Sequence, residues 1–362
     1  MRDLANRVRS LLRPELAALH PYHVADARGL VKLDAMENPY SWPEGMTEQW
    51  LDRLRQAAVN RYPDPSATEL RSALRATAGV PDGAEILLGN GSDELIQIIL
   101  MAVAGGDAVV LAPEPTFVMY RQLAVSLGLR FAGVPLRNDD FSLDMEAMRV
   151  AIRQHQPAVI FLAYPNNPTG NLFREEDVTE VLAIAPGLVV IDEAYAPFAG
   201  TSFLPRLLDH ESLLVMRTLS KMGLAGLRLG YLVGAPEWIV EFDKLRLPYN
   251  INVLTQISAE YALSRSDVFD DQVKRLLGQR DYVSRQLNEL PGVHAYPSRA
   301  NFILFEMSLD AGRVFETLKA RGILVKSFHS LLGPLHRCLR VTVGTPEENQ
   351  LFLEQLSKIL GR

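Results

Sequence analysis

Two residues whose side chains could do chemistry stand at the ends of apolar segments. Lys221 follows LLVMRTLS, and Asp192 ends LVVID. A lysine in a partly desolvated cleft has a lowered pKa, which makes its amine a usable Schiff-base nucleophile and general base. A lysine at a strand end can equally extend into solvent along its alkyl chain. The lysine alone therefore leaves both interpretations open.

A glycine-rich turn adds a candidate anion site. The residues Gly-Asn-Gly-Ser-Asp at 89–93 follow the apolar run EILL and open a helical pattern. Backbone N–H groups in such a turn and the N-terminus of the following helix together bind anions such as phosphate. Taken alone, such turns are also common connectors. In combination with Lys221 and Asp192, the turn suggests a phosphorylated aldehyde as the cofactor.

A nucleotide hydrolase is the first alternative. The segment LVVIDEA could be the acidic strand end at which such enzymes hold Mg²⁺ and activate water. That activity requires a phosphate-binding loop of the form G-x-x-x-x-G-K-[ST], and the sequence contains none. The hydrolase hypothesis therefore loses the group that would hold its phosphates.

The elements that must position these residues alternate along the chain. From Glu85 onward, apolar segments typical of buried strands are separated by amphipathic helical patterns, which predicts an α/β fold with a mostly parallel sheet. Ligands bind such sheets beyond the carboxyl ends of the strands, where Lys221 and Asp192 stand. Upstream, Ser66 followed by Glu69 predicts a capping box at the start of a helix.

The domain organisation follows from a change in this pattern. The alternation stops near 248–252, and two long helical patterns are followed by the strand-like segments NFILFE, ILVKSF and LRVTVG. This order predicts a smaller α+β domain after the large one. We expect an N-terminal arm at 1–44 that contributes to the small domain and to closure over the substrate, a large cofactor-binding domain at 45–265, and a small C-terminal domain at 266–362.

Composition restricts the setting. The 362 residues include 37 lysines and arginines against 43 aspartates and glutamates, a net charge of −6, so no overall positive field attracts nucleic acid. The single cysteine, Cys338, cannot form an intramolecular disulfide. The apolar segments are too short to span a membrane. We expect a cytoplasmic protein that binds neither nucleic acid nor membrane and has no metal site.

Taken together, the motifs resemble those of the class I/II aminotransferases, which are fold-type I enzymes that use pyridoxal phosphate. YPNNPTG, DEAY, SK and GLRLG occur in that family's order and close to its spacing, and the resemblance covers nearly the whole chain. HPYHVADARGLVKLDAMENPY, NRYPDP and LRVTVGTPEEN look most like the branch that acts on histidinol phosphate. The resemblance implies a large domain with a mostly parallel central sheet flanked by helices, a smaller α+β domain, and a homodimer.

The resemblance also implies roles around the cofactor. Lys221 would form the Schiff base and move the proton, and Asp192 would keep the pyridine nitrogen protonated. Tyr195 and Asn167 would donate to the phenolic oxygen of the cofactor. The remaining cofactor contacts would be the stacking residue Phe117 and the phosphate ligands Gly91, Ser92, Asp93, Thr218, Ser220, Arg228 and, from the partner subunit, Tyr62. The interval from Lys221 to Arg228 is seven residues, one shorter than is usual in the family, which puts the reach of Arg228 in question.

Four residues match positions that bind substrate in the family: Tyr22, Asn38, Lys326 and Arg340. Arg340 can bind a carboxylate or phosphate through two parallel hydrogen bonds. Lys326 stands where many members of the histidinol-phosphate branch carry a second arginine. Because lysine presents a point charge and not a fork, we expect a looser phosphate site than in those members.

The implied activity is transamination between L-histidinol phosphate and 2-oxoglutarate in histidine biosynthesis. An aromatic amino acid aminotransferase and a decarboxylase acting on a phosphothreonine-type substrate remain alternatives, because one scaffold hosts all three. A non-catalytic cofactor-binding protein is a further alternative, although every motif residue that it could lose is present.

Overall fold

The computed structural model describes residues 2–19, 21, 24–330 and 333–361. The strands in these residues are β1 (Val31–Leu33), β2 (Glu85–Asn90), β3 (Val109–Glu114), β4 (Arg130–Pro135), β5 (Val159–Ala163), β6 (Leu188–Asp192), β7 (Leu213–Thr218), β8 (Leu229–Gly234), β9 (Val293–Ala295), β10 (Phe302–Met307), β11 (Ile323–Ser327) and β12 (Cys338–Thr342). The α-helices are α1 (Arg2–Leu11), α2 (Glu44–Leu54), α3 (Thr68–Ala78), α4 (Gly91–Val103), α5 (Met119–Ser126), α6 (Met145–His155), α7 (Glu175–Ile184), α8 (Ala196–Ala199), α9 (Pro236–Asp243), α10 (Val253–Leu263), α11 (Ser266–Asn288), α12 (Ala311–Ala320) and α13 (Pro346–Ile359).

Seven strands form the central sheet in the order β2-β8-β7-β6-β5-β3-β4. Strand β8 runs in the direction opposite to that of the other six strands. The mostly parallel α/β sheet predicted from the alternation is therefore confirmed. Because β8 runs in reverse, the residue that precedes it, Arg228, lies at the edge where the parallel strands end.

Burial on both faces explains the apolar character of the central strands. All residues of β5 and β6 are buried. Successive side chains point to opposite faces, so Ile160 and Ile191 belong to one hydrophobic cluster while Phe161 and Val190 belong to the other. A sheet covered on both sides holds its strand ends rigidly, and those ends carry the candidate site.

A second sheet has five strands in the order β1-β11-β12-β10-β9. Strand β1 comes from the N-terminal part of the chain and pairs in parallel with β11. A separate hydrophobic cluster, which includes Leu33, Phe305 and Phe352, packs around this sheet. The domain boundaries at 44/45 and 265/266 stay predictions.

The start of α3 differs from the prediction. Its N-cap is Ala67, with φ of 45°, and no side chain caps the helix from that position. Asp64 instead accepts hydrogen bonds from the backbone N–H groups of Ser66 and Thr68. The capping box expected from Ser66 and Glu69 is therefore wrong, because the turn NRYPDP supplies its own carboxylate to the free N–H groups of the helix.

The helices of the described residues include none with the length and apolar character that crossing a bilayer requires.

Candidate active site

A cavity of about 220 Å³ opens at the carboxyl edge of the central sheet. It lies where β5, β6 and β7 end and where α4 begins. Open α/β sheets bind their ligands at this position. The residues predicted from the sequence that line it are Ser92, Asp93, Phe117, Asn167, Asp192, Tyr195, Thr218, Ser220, Lys221 and Arg228.

Lys221 lies in a short 3₁₀ turn directly after β7. Its Nζ donates a hydrogen bond of 3.3 Å to the carbonyl oxygen of Ala35 and lies 5.7 Å from the ring centre of Tyr195. Burial, together with the nearby charge of the Arg340 guanidinium, lowers the pKa of Lys221 to about 8. A large fraction of the amine is therefore neutral near pH 8, as nucleophilic attack on an aldehyde requires.

Asp192 is the last residue of β6 and is only 4% exposed. Its Oδ2 accepts a 2.6 Å hydrogen bond from the Tyr120 hydroxyl, and its Oδ1 accepts one of 3.0 Å from the backbone N–H of Ala194. Burial raises the pKa of Asp192 to about 6, although both hydrogen bonds act in the opposite direction. A buried carboxylate of this kind gains from a cation placed beside it.

Tyr120 is a functional residue that the sequence reasoning missed. It is fully buried, its ring stacks on Phe161 at 4.6 Å, and Phe117 meets it edge-on at 5.6 Å. Since Phe117 also lines the cavity, one aromatic cluster positions both a wall of the cavity and the Asp192 carboxylate. The available signal was that Tyr120 comes only three residues after Phe117.

The N-terminus of α4 and Arg228 together form the anion-binding end of the cavity. Gly91 has φ of 78°, and a Cβ at Gly91 would lie 2.8 Å from Nη2 of Arg228. A Cβ at Gly230 would lie 2.7 Å from the backbone of Gly91. Arg228, itself left-handed with φ of 51°, therefore reaches the glycine turn despite the seven-residue interval, and its Nη2 lies 3.5 Å from Asp93 Oδ2.

Two hydroxyl groups at the end of β7 lie beside this turn. The Thr218 hydroxyl is 3.0 Å from that of Ser220 and 3.0 Å from the carbonyl oxygen of Leu229. The backbone N–H of Ser220 donates to Thr218 at 3.2 Å. Thr218 therefore holds the start of the Lys221 turn against β8, and both hydroxyl groups line the cavity.

Arg340 connects the two sheets. It lies on β12, is 6% exposed, and donates from Nη1 to Asn167 Oδ1 and from Nη2 to the carbonyl oxygen of Asp34 at 2.9 Å. The rings of Phe302 and Phe328 flank its guanidinium at 5.1 and 5.9 Å. The guanidinium is thus oriented beside Asn167, a residue of the cavity wall.

Lys326 lies opposite Arg340 in the antiparallel pair of β11 and β12. Directly opposite residues of such a pair share one face of the sheet, with Cβ atoms about 5 Å apart. Burial and the Arg340 charge lower the pKa of Lys326. Two cations that repel each other in this way form a suitable site for an anion.

Five of the predicted residues that the structure describes do not line the cavity: Gly91, Lys326 and Arg340, which are described above, and Asn38 and Tyr62. Both polar groups of the Asn38 amide form hydrogen bonds within the chain. Its Nδ2 donates to the carbonyl oxygen of Met222 and to Gln272 Oε1. Its Oδ1 accepts from the backbone N–H of Tyr40. Its predicted substrate contact stays a prediction. Tyr62 is 80% exposed and stacks on Tyr249 at 4.4 Å, and Tyr22 lies outside the described residues.

The sequence of this chain matches one known protein family. The family model described as aminotransferase class I and II matches residues 28–356. The chain belongs to this family. The match covers every predicted site residue that the structure describes, from Asn38 to Arg340, so the predicted family is confirmed.

Two relatives of this class I and II aminotransferase share a specific name. The chain is 56% identical over 352 residues to histidinol-phosphate aminotransferase 2 of Nitrosococcus oceani. These residues cover 97% of this chain and 98% of that protein. The chain is 50% identical to histidinol-phosphate aminotransferase 1 of Ralstonia nicotianae, over 99% of this chain and 96% of that one. The crystal structure of the Sinorhizobium meliloti histidinol-phosphate aminotransferase in complex with pyridoxal-5'-phosphate superimposes with a TM-score of 0.84, at 25% identity over 97% of this chain and 98% of that chain.

Proposed function

We propose that the protein is a pyridoxal-phosphate-dependent aminotransferase that moves an amino group from L-histidinol phosphate to 2-oxoglutarate in the cytoplasm. The observation that carries the proposal is the cavity that contains both Lys221, with a pKa lowered to about 8, and the buried carboxylate of Asp192. The names of relatives at 50–56% identity support the choice of donor.

The residues of the cavity fit pyridoxal phosphate. The Asp192 carboxylate, raised in pKa by burial, suits a protonated ring nitrogen, and Phe117 is an aromatic wall of the cavity. The close approach of Arg228 to Gly91 at the start of α4 suits a phosphate. The remaining proposed ligands of the phosphate are Ser92, Asp93, Thr218, Ser220 and the partner subunit's Tyr62, and those of the phenolic oxygen are Asn167 and Tyr195.

Bound at this site, the cofactor supplies an electron sink for the bonds of the substrate's Cα. Asp192 holds the proton on the pyridine nitrogen, since removal of that proton would leave a buried carboxylate without a cation. Lys221 Nζ accepts the proton from Cα as a general base and returns it. Tyr195 and the amide of Asn167 orient the ring through its phenolic oxygen.

The donor is proposed from the two cations opposite each other on β11 and β12. Lys326 and Arg340 present two positive charges on one face of the sheet, which suits a phosphate monoester better than an uncharged aromatic side chain. This pair favours L-histidinol phosphate over an aromatic amino acid. Tyr22 and Asn38 complete the proposed substrate contacts.

A panel of amino donors with 2-oxoglutarate as acceptor tests the proposal. We expect amino transfer to be fastest with L-histidinol phosphate and to proceed without release of carbon dioxide. Borohydride reduction of the holoenzyme followed by peptide mapping should label Lys221, and the variant Lys221→Arg should remain unlabelled. Equal or faster transfer from phenylalanine would overturn the choice of donor, and gas release would indicate a decarboxylase.

A further inference from the structure

Strands β11 and β12, with the residue that follows β1, bring three charged residues into one row. The register pairs Leu33, the last residue of β1, with Val325 of β11. Extended by one residue it brings Asp34 level with Lys326, and the charge of Asp34 acts on Lys326. Lys326 in turn lies opposite Arg340 of β12. The row therefore reads Asp34, Lys326, Arg340, with one negative charge beside two positive ones.

The backbone of Asp34 is tied to this row. Its carbonyl oxygen accepts a 2.9 Å hydrogen bond from Arg340 Nη2. The next residue, Ala35, accepts the hydrogen bond from Lys221 Nζ. Segment 34–35 thus contacts both the anion-binding row and the proposed catalytic amine.

One oxygen of the Asp34 side chain has no such partner. Its Oδ1 is buried and makes no hydrogen bond to the part of the chain that the structure describes. Burial raises the pKa of Asp34, while Lys32, Lys326 and Arg340 are the cations near it. The remaining carboxylate nearby, Glu37, is already paired with Lys32 at 2.5 Å. Asp34 therefore places a carboxylate, one of whose oxygens is buried and accepts no hydrogen bond, near the two cations of the row.

We propose that Asp34 is a specificity-determining residue, whose carboxylate opposes Lys326 and Arg340 and weakens ligand binding in proportion to the negative charge of the ligand. The chemical class concerned is a phosphate monoester or a carboxylate bound at the row. The inference rests on the proposed function for the identity of that ligand. Its consequence is that two anionic substrates, which must occupy this site alternately, both leave it readily.

Coulomb's law gives the proposal a quantitative form. The repulsion between Asp34 and a bound anion is proportional to the charge of the anion. Replacing Asp34 with asparagine removes the charge but leaves the backbone carbonyl that accepts from Arg340. The factor by which the substitution tightens the binding of a dianion should therefore be the square of the factor for a monoanion of the same shape.

Methyl phosphate and methyl sulfate provide that pair of ligands. At pH about 7.5 the phosphate monoester is mainly a dianion, and the sulfate monoester is a monoanion. Equilibrium titration of the holoenzyme would measure the dissociation constant of each. For Asp34→Asn we expect methyl sulfate to bind about threefold tighter and methyl phosphate about tenfold tighter than to the unsubstituted protein.

Asp26→Asn is the matched control. It makes the same change of charge in the same part of the chain, but Asp26 is exposed and pairs with Arg28 outside the row. We expect neither dissociation constant to change. Lys326→Gln should weaken methyl phosphate more than methyl sulfate, since it removes attraction from the same row.

Equal factors for the two ligands, or weaker binding of both to Asp34→Asn, would overturn the proposal and indicate a purely structural role. If asparagine at this position prevents folding, Asp34→Ser removes the same charge and the same ratio of factors is expected. Because the titration needs no turnover, it reports on Asp34 even if L-histidinol phosphate is not the donor. Failure of the donor panel and failure of this inference are thus separate results.

Discussion

The protonation state of Asp192 depends on opposing local effects. Burial raises its pKa to about 6, while the hydrogen bonds from Tyr120 and from the backbone N–H of Ala194 act to lower it. The two donors keep the carboxylate available for a cation although it is buried. Tyr120 is consequently a positioning residue for Asp192, held by its stacking on Phe161.

This balance predicts a pH-dependent difference between the apoprotein and its Asp192→Asn variant. A carboxyl group with a pKa near 6 in the folded state and near 3.8 in the unfolded state binds more protons when folded between those values, so stability falls as pH rises. Relative to Asp192→Asn, the apoprotein should lose about 2 kcal/mol of unfolding free energy between pH about 4 and about 6. Urea denaturation at each pH measures this.

Tyr120→Phe is the companion variant in the same experiment. It removes a hydrogen bond that lowers the pKa of Asp192, so the loss of stability should extend to higher pH. If the free energy of unfolding of the apoprotein and that of Asp192→Asn change equally with pH across this range, Asp192 is not the titrating group.

At the scale of single elements, the start of α4 depends on the absence of a side chain at Gly91. Gly91→Ala would place a Cβ in a left-handed conformation and 2.8 Å from Arg228 Nη2. The strain amounts to about 1–2 kcal/mol, and Arg228 would have to move. We expect pyridoxal phosphate to bind about tenfold more weakly, as measured by titration of the apoprotein.

Gly105→Ala is the control for that change. It lies beyond the other end of α4, has no strained φ, and a Cβ there meets nothing within 4 Å. Its cofactor affinity should match that of the unsubstituted protein. An unchanged affinity in Gly91→Ala would exclude the start of α4 as the phosphate site.

Helix caps provide a second prediction at this scale. Thr345 forms a reciprocal capping box with Glu348 at the start of α13, whereas the start of α3 is capped from Asp64. Thr345→Ala and Asp64→Ala should each reduce the free energy of unfolding by about 1 kcal/mol. Ser66→Ala should change it by much less, and chemical denaturation would measure all three. A larger effect of Ser66→Ala would support the capping box predicted from the sequence and contradict capping from Asp64.

At the scale of the whole molecule, exposed apolar side chains lie close in sequence to Tyr62 and to Tyr249, the residue on which Tyr62 stacks. Val59, Leu247 and Tyr249 are 73%, 70% and 40% exposed, and Tyr249 stacks on Tyr62. Exposed apolar residues that occur together mark interaction surfaces. We propose that a second copy of the chain covers this surface and receives Tyr62 at its own cofactor site.

Mixed dimers test this proposal. The Lys221→Ala and Tyr62→Ala variants should each have little activity. A hybrid dimer with one subunit of each variant contains one site in which both original residues are present. Random mixing should restore active sites to about a quarter of the original number. Sedimentation would check that both variants remain dimeric, since a monomer gives no hybrid. No recovery from mixed dimers would show that Tyr62 acts within its own chain or not at all.

Much of this protein is determined by its sequence alone. Continuous apolar strands predicted the parallel sheet, and the residues after them predicted the wall of the cavity, because strand ends in such a sheet meet at one edge. Lys221, Asp192 and the turn at Gly91 needed only this local information.

Tertiary structure alone decided what depends on contacts between distant residues. Tyr120 and Asp192 are 72 residues apart, and Asp34 meets Arg340 across 306 residues. The left-handed backbone of Arg228 compensates for a short interval that sequence spacing could only mark as unusual. Periodicity shows which face a side chain takes, but the register between strands and the burial of a charge arise only when the sheets form.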